Sequence, residues 1–283
     1  MPAKIGVLAG GGDLPRRLIE AARATGREVS VVALEGQADP ETVLGVSHVW
    51  RRMGAAGDIL KWLRAEGVQE LVFAGRVRRP SWTELRPDWR AAAFFAKLGV
   101  RILGDDGLLR AVSVGLEEEG FRILGVQDIF KELLAPIGPI GCLTPDDAAR
   151  ADIARGVEVA RLLGRLDVGQ AVVVQQGLVL GVEAIEGTDA LLERCGLLRR
   201  EGLGGVLVKI MKPQQDRRLD LPTIGVATVI KAAAAGLRGV AVEAGGSLIL
   251  DRAAVAVAAD DKKLFVIGIE ATDEQQRGGQ HAG

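Results

Sequence analysis

The sequence predicts an α/β protein of two domains, an N-terminal one built on a parallel sheet and a second one of mixed α/β type. Three observations carry this. Through the first 134 residues, apolar runs of strand length alternate with longer segments of helical period, the pattern of βαβ units around a parallel sheet. Residues 133–147 (LLAPIGPIGCLTPDD) then break both periods with prolines and glycines. The chain of 283 residues is about twice the usual length of one domain, so either half can bury its own core.

The elements follow in order. Residues 4–9 read as the first strand, followed by the loop Gly10-Gly11-Gly12 and a helix over 14–25, with Asp13 as N-cap and Pro15 in its first turn. Residues 29–34 and 70–74 are further strands. The N-terminal domain is set at 1–134, a linker at 135–145, a C-terminal catalytic domain at 146–273 and a flexible tail at 274–283. Thr144 is expected to cap a helix that opens on Pro145, carries two aspartates in its first turn and runs to about residue 163. Residues 171–174 and 178–183 flank Gln175-Gln176-Gly177 as a hairpin. Strands at 205–209, 239–243 and 264–270 and helices at 222–235 and 252–260 complete the domain, the last capped by Asp251.

Composition narrows the chemistry. Lys plus Arg number 36 against 37 Asp plus Glu, so no net field draws the chain to nucleic acid, and anion binding has to be local. Cys142 and Cys195 are too few and too far apart for a metal knuckle, and both read as buried packing thiols. The two histidines, His48 and His281, have no nucleophile beside them, which argues against Ser-His-Asp and Cys-His mechanisms. Tyrosine is absent, leaving acid/base work to Asp, Glu and Lys. The N-terminus carries no cleavage signal, and no apolar run is long enough to span a bilayer, so a cytoplasmic protein is expected.

Four places could carry chemistry. The loop GVLAGGGDLP lies between a strand and a helix, where the Gly11 and Gly12 amides could hold an anion, or simply form a tight turn. Pro15 stands where a dinucleotide fingerprint needs its third glycine, although Glu35 ends the second strand at a suitable distance. GRVRRP, residues 75–80, follows a strand, and Arg76, Arg78 and Arg79 could grip phosphate there or be solvated. In Gly104-Asp105-Asp106-Gly107 the paired carboxylates suit Mg²⁺, or else a helix cap, which is the favoured reading. Thr188 and Asp189, in EGTDA, are explained as capping residues. The densest cluster is KIMKPQQDRRLDLPTIG, residues 209–225. It gathers Lys209, Lys212, Gln215, Asp216, Arg217, Arg218, Asp220 and Thr223, both signs of charge ahead of a helix. Cations there can neutralise phosphate oxygens, and an aspartate can hold a metal or orient water. Equally, the run could be a solvated face, and Asp220 an N-cap.

Taken together, GVLAGGGDLP, GDDGLLR, DVGQ (167–170), EGTDA (186–190), the 209–225 block and EAG (243–245) occur in an order that resembles UDP-2,3-diacylglucosamine pyrophosphatases of the LpxI type. The one small departure is Val168, where isoleucine is usual. The resemblance implies a Rossmann-like N-terminal domain, a substrate bound between domains, a homodimer, and Mg²⁺ or another divalent cation. It implies hydrolysis of the lipid-linked nucleotide sugar to UMP and 2,3-diacylglucosamine 1-phosphate in lipid A synthesis. Peripheral contact with the cytoplasmic face of the inner membrane is compatible with it.

Carried over by motif, Asp220 is the catalytic candidate, positioning metal or water. Lys212 is assigned to catalysis beside it, and Asp220 and Asp216 to the metal. Gly11, Gly12, Gly75, Arg78, Arg79, Asp106, Thr188, Lys209, Gln215, Arg218 and Thr223 are assigned to the substrate. A groove for the acyl chains is expected, with Phe94 and Phe95 as one wall or as plain core. The competing readings are a nucleotide-binding oxidoreductase and a non-catalytic nucleotide-sugar-binding protein.

Overall fold

The structure is a computed structural model that describes residues 3–78, 87–89, 91–92 and 105–271. The expectations for Arg79, Phe94, Phe95, His281 and the tail lie outside the described residues, as do the side chains of Asp105 and Asp106. The described chain forms two units. One runs up to Glu132 and takes in Gln215–Asp220; the other comprises Leu133–Gln214 and the residues from Leu221 on.

The first unit contains β1 (Ile5–Ala9), α1 (Leu14–Ala24), β2 (Val29–Leu34), β3 (Ser47–Arg51), α2 (Ala56–Ala65), β4 (Glu70–Ala74), α3 (Asp105–Glu118), β5 (Arg122–Leu124) and α4 (Val126–Ile129). Its strands pair in the order β3-β2-β1-β4-β5, every neighbour parallel. β1 and β2 are buried along their whole length, which is why they read as near-continuous apolar runs. Helix α1 buries Leu18, Ile19 and Ala22 on one stripe. Asp13 precedes it, yet its side chain makes no capping bond.

The strand order turns back between β1 and β4, and the loops after these two strands meet. Gly11 donates to the Arg76 carbonyl at 2.8 Å and Arg76 donates back to Gly11 at 2.9 Å. The approach needs glycine: Gly75 sits at φ 93°, and a β-carbon there would lie 2.7 Å from both the Gly11 oxygen and Pro15. Gly75→Ala is therefore expected to destabilise the protein by about 1–3 kcal/mol, read as a lower urea midpoint.

The second unit contains β6 (Gly138–Pro139), α5 (Asp147–Arg165), β7 (Ala171–Gln175), β8 (Leu178–Val182), α6 (Gly187–Leu197), β9 (Val206–Lys209), β10 (Thr223–Ile224), α7 (Val226–Ala234), β11 (Gly239–Glu243), β12 (Leu248–Ile249), α8 (Arg252–Asp261) and β13 (Phe265–Ile269). Six strands form one sheet in the order β6-β13-β11-β9-β7-β8. β13, β11 and β9 are mutually parallel, while β6 and β7 are antiparallel to their neighbours and β8 to β7. Alternate residues face opposite layers. Val173, Leu207, Val240 and Val242 pack with α6, α7 and α8, whereas Val172, Val174, Val206, Val208 and Ala241 pack with α5.

Several local expectations are corrected. Residues 135–145 are built into the second unit, with Gly138–Pro139 pairing to β13 and Ala135 and Ile140 in its core. The cap of α5 is Asp146, not Thr144, because the Asp146 carboxylate reaches the Ala149 amide at 2.8 Å. The expected helix over 222–235 opens as a strand. Thr223–Ile224 pair with β12, and Gly225, whose amide donates to Thr228 Oγ1, then starts α7. Asp251 does cap α8, accepting from Ala254. Cys195 is buried, but Cys142 is exposed.

Candidate active site

Four motifs that are far apart in sequence meet at one edge of the second sheet. Because β9 and β11 are parallel, their carboxyl ends lie side by side, with Val242 paired to Lys209 and Glu243 next along. β7 is antiparallel to β9, so its first residue, Ala171, also pairs with Lys209 and brings DVGQ to the same edge. β8 is antiparallel to β7, so its end at Val182 delivers Glu183 and the EGTDA helix there too. In α/β sheets, this carboxyl edge is where ligands bind.

The lysines at this edge are buried and paired. Lys209 and Lys212 are each 8% exposed. Lys209 Nζ donates to Thr188 Oγ1 at 3.0 Å and to the Thr223 carbonyl at 3.3 Å. Lys212 Nζ meets Asp167 Oδ1 at 2.7 Å. Asp167 holds a left-handed backbone, φ 55°, which costs a non-glycine residue energy and is sustained by its surroundings. Gly169 explains the glycine of DVGQ, because a β-carbon there would lie 2.0 Å from the Glu183 carbonyl oxygen. The Glu243 carboxylate accepts from the Met211 amide at 2.9 Å, tying EAG to the lysine loop.

Residues 215–220 belong to the first unit. Leu219 lies in its core with Leu8, Val32 and Leu116, and Gln127 donates to the Arg217 carbonyl. Arg218 grips Asp216 through its amide, Nε and Nη2, at 2.7–3.1 Å, and reaches Glu117 with Nη1 at 2.7 Å. The Arg218 guanidinium is the main reason the Asp216 carboxyl is held below the usual carboxylate range, and the pairing raises Arg218 in turn. Buried Gln215 donates to Asp220 Oδ2 at 3.2 Å. Asp220 is exposed and lies five residues ahead of Gly225, the N-cap of α7, so it cannot cap that helix.

Other assignments change with these contacts. Thr188 and Asp189 are inside α6, whose N-cap is Glu186, and Thr188 donates to Glu183 Oε1 at 2.5 Å. Gly11 and Gly12 do not form an open anion cradle, because their amides are engaged by the Arg76 carbonyl and by Asp39 Oδ2 at 2.8 Å. Asp39, rather than Glu35, is the acid that meets this loop. Gly75 is required by packing. Arg78 is exposed, and its amide donates to Gln37. Asp105 and Asp106 lie in the first turn of α3.

A metal makes a separate demand. Among the described residues, no three His, Cys, Asp or Glu side chains gather closely enough to hold one. Asp216 does not fit as a ligand, since both its oxygens face Arg218. Asp220 fits only as a single carboxylate for a Mg²⁺ that takes its other ligands from water and substrate phosphate, a common arrangement for that ion.

The matches to known families cover both units. Residues 4–133 match the model of the LpxI N-terminal domain, and residues 136–267 match that of the LpxI C-terminal domain. A protein of Caulobacter vibrioides, UDP-2,3-diacylglucosamine pyrophosphatase LpxI, is 46% identical, the match covering 97% of this chain and 99% of the relative. The chain belongs to the LpxI family.

Within this LpxI-family chain, Asp167, Glu183 and Glu243 carry no signal by residue type alone, although Asp167 and Glu243 stand inside the DVGQ and EAG motifs. Their signal is positional. Each stands at a strand end or in the adjoining loop, and only the pairing of β7, β8, β9 and β11 reveals that these ends coincide.

Proposed function

We propose that this protein hydrolyses the pyrophosphate bond of UDP-2,3-diacylglucosamine, releasing UMP and 2,3-diacylglucosamine 1-phosphate for lipid A synthesis. The observation that carries the reading is the pair of buried lysines, Lys209 and Lys212, held at the carboxyl edge of the second sheet by family motifs. The name and 46% identity of the Caulobacter vibrioides relative supply the substrate.

Lys209 and Lys212 neutralise the pyrophosphate oxygens as charge develops in the transition state. Thr188 and Thr223 frame Lys209, and Asp167 fixes Lys212. Asp220, eight residues beyond Lys212 in the chain, accepts a proton from the attacking water or orients it. Arg218 occupies both oxygens of Asp216, so Asp216 is not assigned to metal binding, while Arg218 keeps its substrate assignment; Gln215 orients Asp220. Arg76 and Arg78 follow β4 and are assigned to substrate phosphate or sugar, and Asp106 keeps its substrate assignment. Asp220 would hold Mg²⁺ jointly with the substrate, and the ion would supply Lewis-acid polarisation of the phosphate. No helix among the described residues is long and apolar enough to cross a membrane. Homodimerisation, a cytoplasmic location and peripheral contact with the inner membrane belong to the same proposal.

The test is release of UMP from purified protein and UDP-2,3-diacylglucosamine, with and without EDTA. Turnover with Mg²⁺, lost on chelation and restored by adding Mg²⁺, is expected. UMP release unaffected by EDTA would remove the metal from the proposal, and absence of UMP under every condition would remove the hydrolase.

A further inference from the structure

Glu183 has no assigned role, yet it is 6% exposed and carries a carboxylate in the interior of the second unit. Its Oε2 accepts from the Gln170 amide at 3.1 Å, and its Oε1 accepts the Thr188 hydroxyl proton at 2.5 Å. With that proton directed at Glu183, Thr188 Oγ1 presents a lone pair to Lys209 Nζ, 3.0 Å away. Thr223 supplies the second acceptor for Lys209 through its carbonyl. The third ammonium proton has no partner among the described residues. A buried ammonium with one unused proton and a carboxylate behind its hydroxyl partner is set up to receive an anion.

We propose that Glu183 is a positioning residue. Through the Thr188 hydroxyl, it fixes the orientation of Lys209 and balances its charge, so that the remaining proton is offered to a phosphate oxygen of the substrate. This rests on the pyrophosphatase reading. Glu183 does not touch substrate and takes no proton from it. The DVGQ loop serves the same end, because the Gln170 amide anchors the second Glu183 oxygen, and Gly169 lets that loop approach the Glu183 backbone.

The experiment compares kcat and KM for UMP release by Glu183→Gln, Thr188→Val, Thr188→Ser and the Glu183→Gln/Thr188→Val double variant, alongside thermal unfolding of each. Glu183→Gln and Thr188→Val should each lose about 10–100-fold, the range typical of residues that orient a functional group, with the loss falling on kcat rather than KM. Thr188→Ser, which keeps the hydroxyl, should restore near-wild-type kcat. The double variant should be no slower than Thr188→Val, because Glu183 acts only through that hydroxyl. Should Glu183→Gln fail to fold, the contrast between Thr188→Val and Thr188→Ser decides. Normal kcat in folded Glu183→Gln or Thr188→Val, a Thr188→Ser as slow as Thr188→Val, or losses that multiply in the double variant would overturn the relay. An inactive wild type would instead refute the pyrophosphatase reading beneath it.

Discussion

Asp220→Asn is expected to lower kcat by about 10²–10⁴-fold, the contribution of a positioned general base, while leaving the urea unfolding midpoint essentially unchanged. Asn keeps the size of the side chain and an oxygen for Gln215, so the contact at 3.2 Å can persist. It removes only the negative charge and the capacity to take a proton. The stability forecast follows from placement: Asp220 is exposed, it is not the cap of α7, and Asn keeps an acceptor oxygen for buried Gln215. Steady-state kinetics and urea titration on the same preparation check both halves. A near-normal kcat would return Asp220 to an ordinary surface role.

Lys209→Met should be the second large effect, about 10²–10³-fold in kcat, comparable to removing one preorganised donor from a charge-stabilising site. Met approximates the length and apolar stem of Lys but cannot meet a phosphate oxygen. A structural cost accompanies it. The Thr223 carbonyl loses a donor and the buried Glu183 loses its nearby cation, so stability should fall by about 1–3 kcal/mol. Kinetics taken well below the unfolding transition separate the two. An active Lys209→Met would contradict the assignment of this lysine to the pyrophosphate.

How much of this was legible in the sequence varies with the interaction involved. β2, β4 and β11 could be bounded to the residue, because strands buried on both faces leave continuous apolar runs. The start of α7 differs from the expectation because Pro222 carries the signal of a first helical residue, whereas the short pairing of Thr223–Ile224 with Leu248–Ile249 depends on a distant partner. The same distinction governs the site. Lys209, Lys212 and Asp220 announced themselves by charge density and motif. Glu183 and Asp167 did not, because their importance comes from strand adjacency: one ends next to Ala171, the other precedes it. The two glycines of the N-terminal loop point the opposite way. Their spacing suggested a ligand, but the structure gives their amides to Arg76 and Asp39.

The most direct test of the central claim is turnover of UDP-2,3-diacylglucosamine in water enriched in heavy oxygen, with both products analysed by mass spectrometry. Hydrolysis at the pyrophosphate predicts UMP and 2,3-diacylglucosamine 1-phosphate in equal amounts, with one heavy oxygen carried by one of the two and absent from the other. Substrate recovered intact after prolonged incubation with protein and Mg²⁺ would contradict it, as would products that carry no label from the solvent.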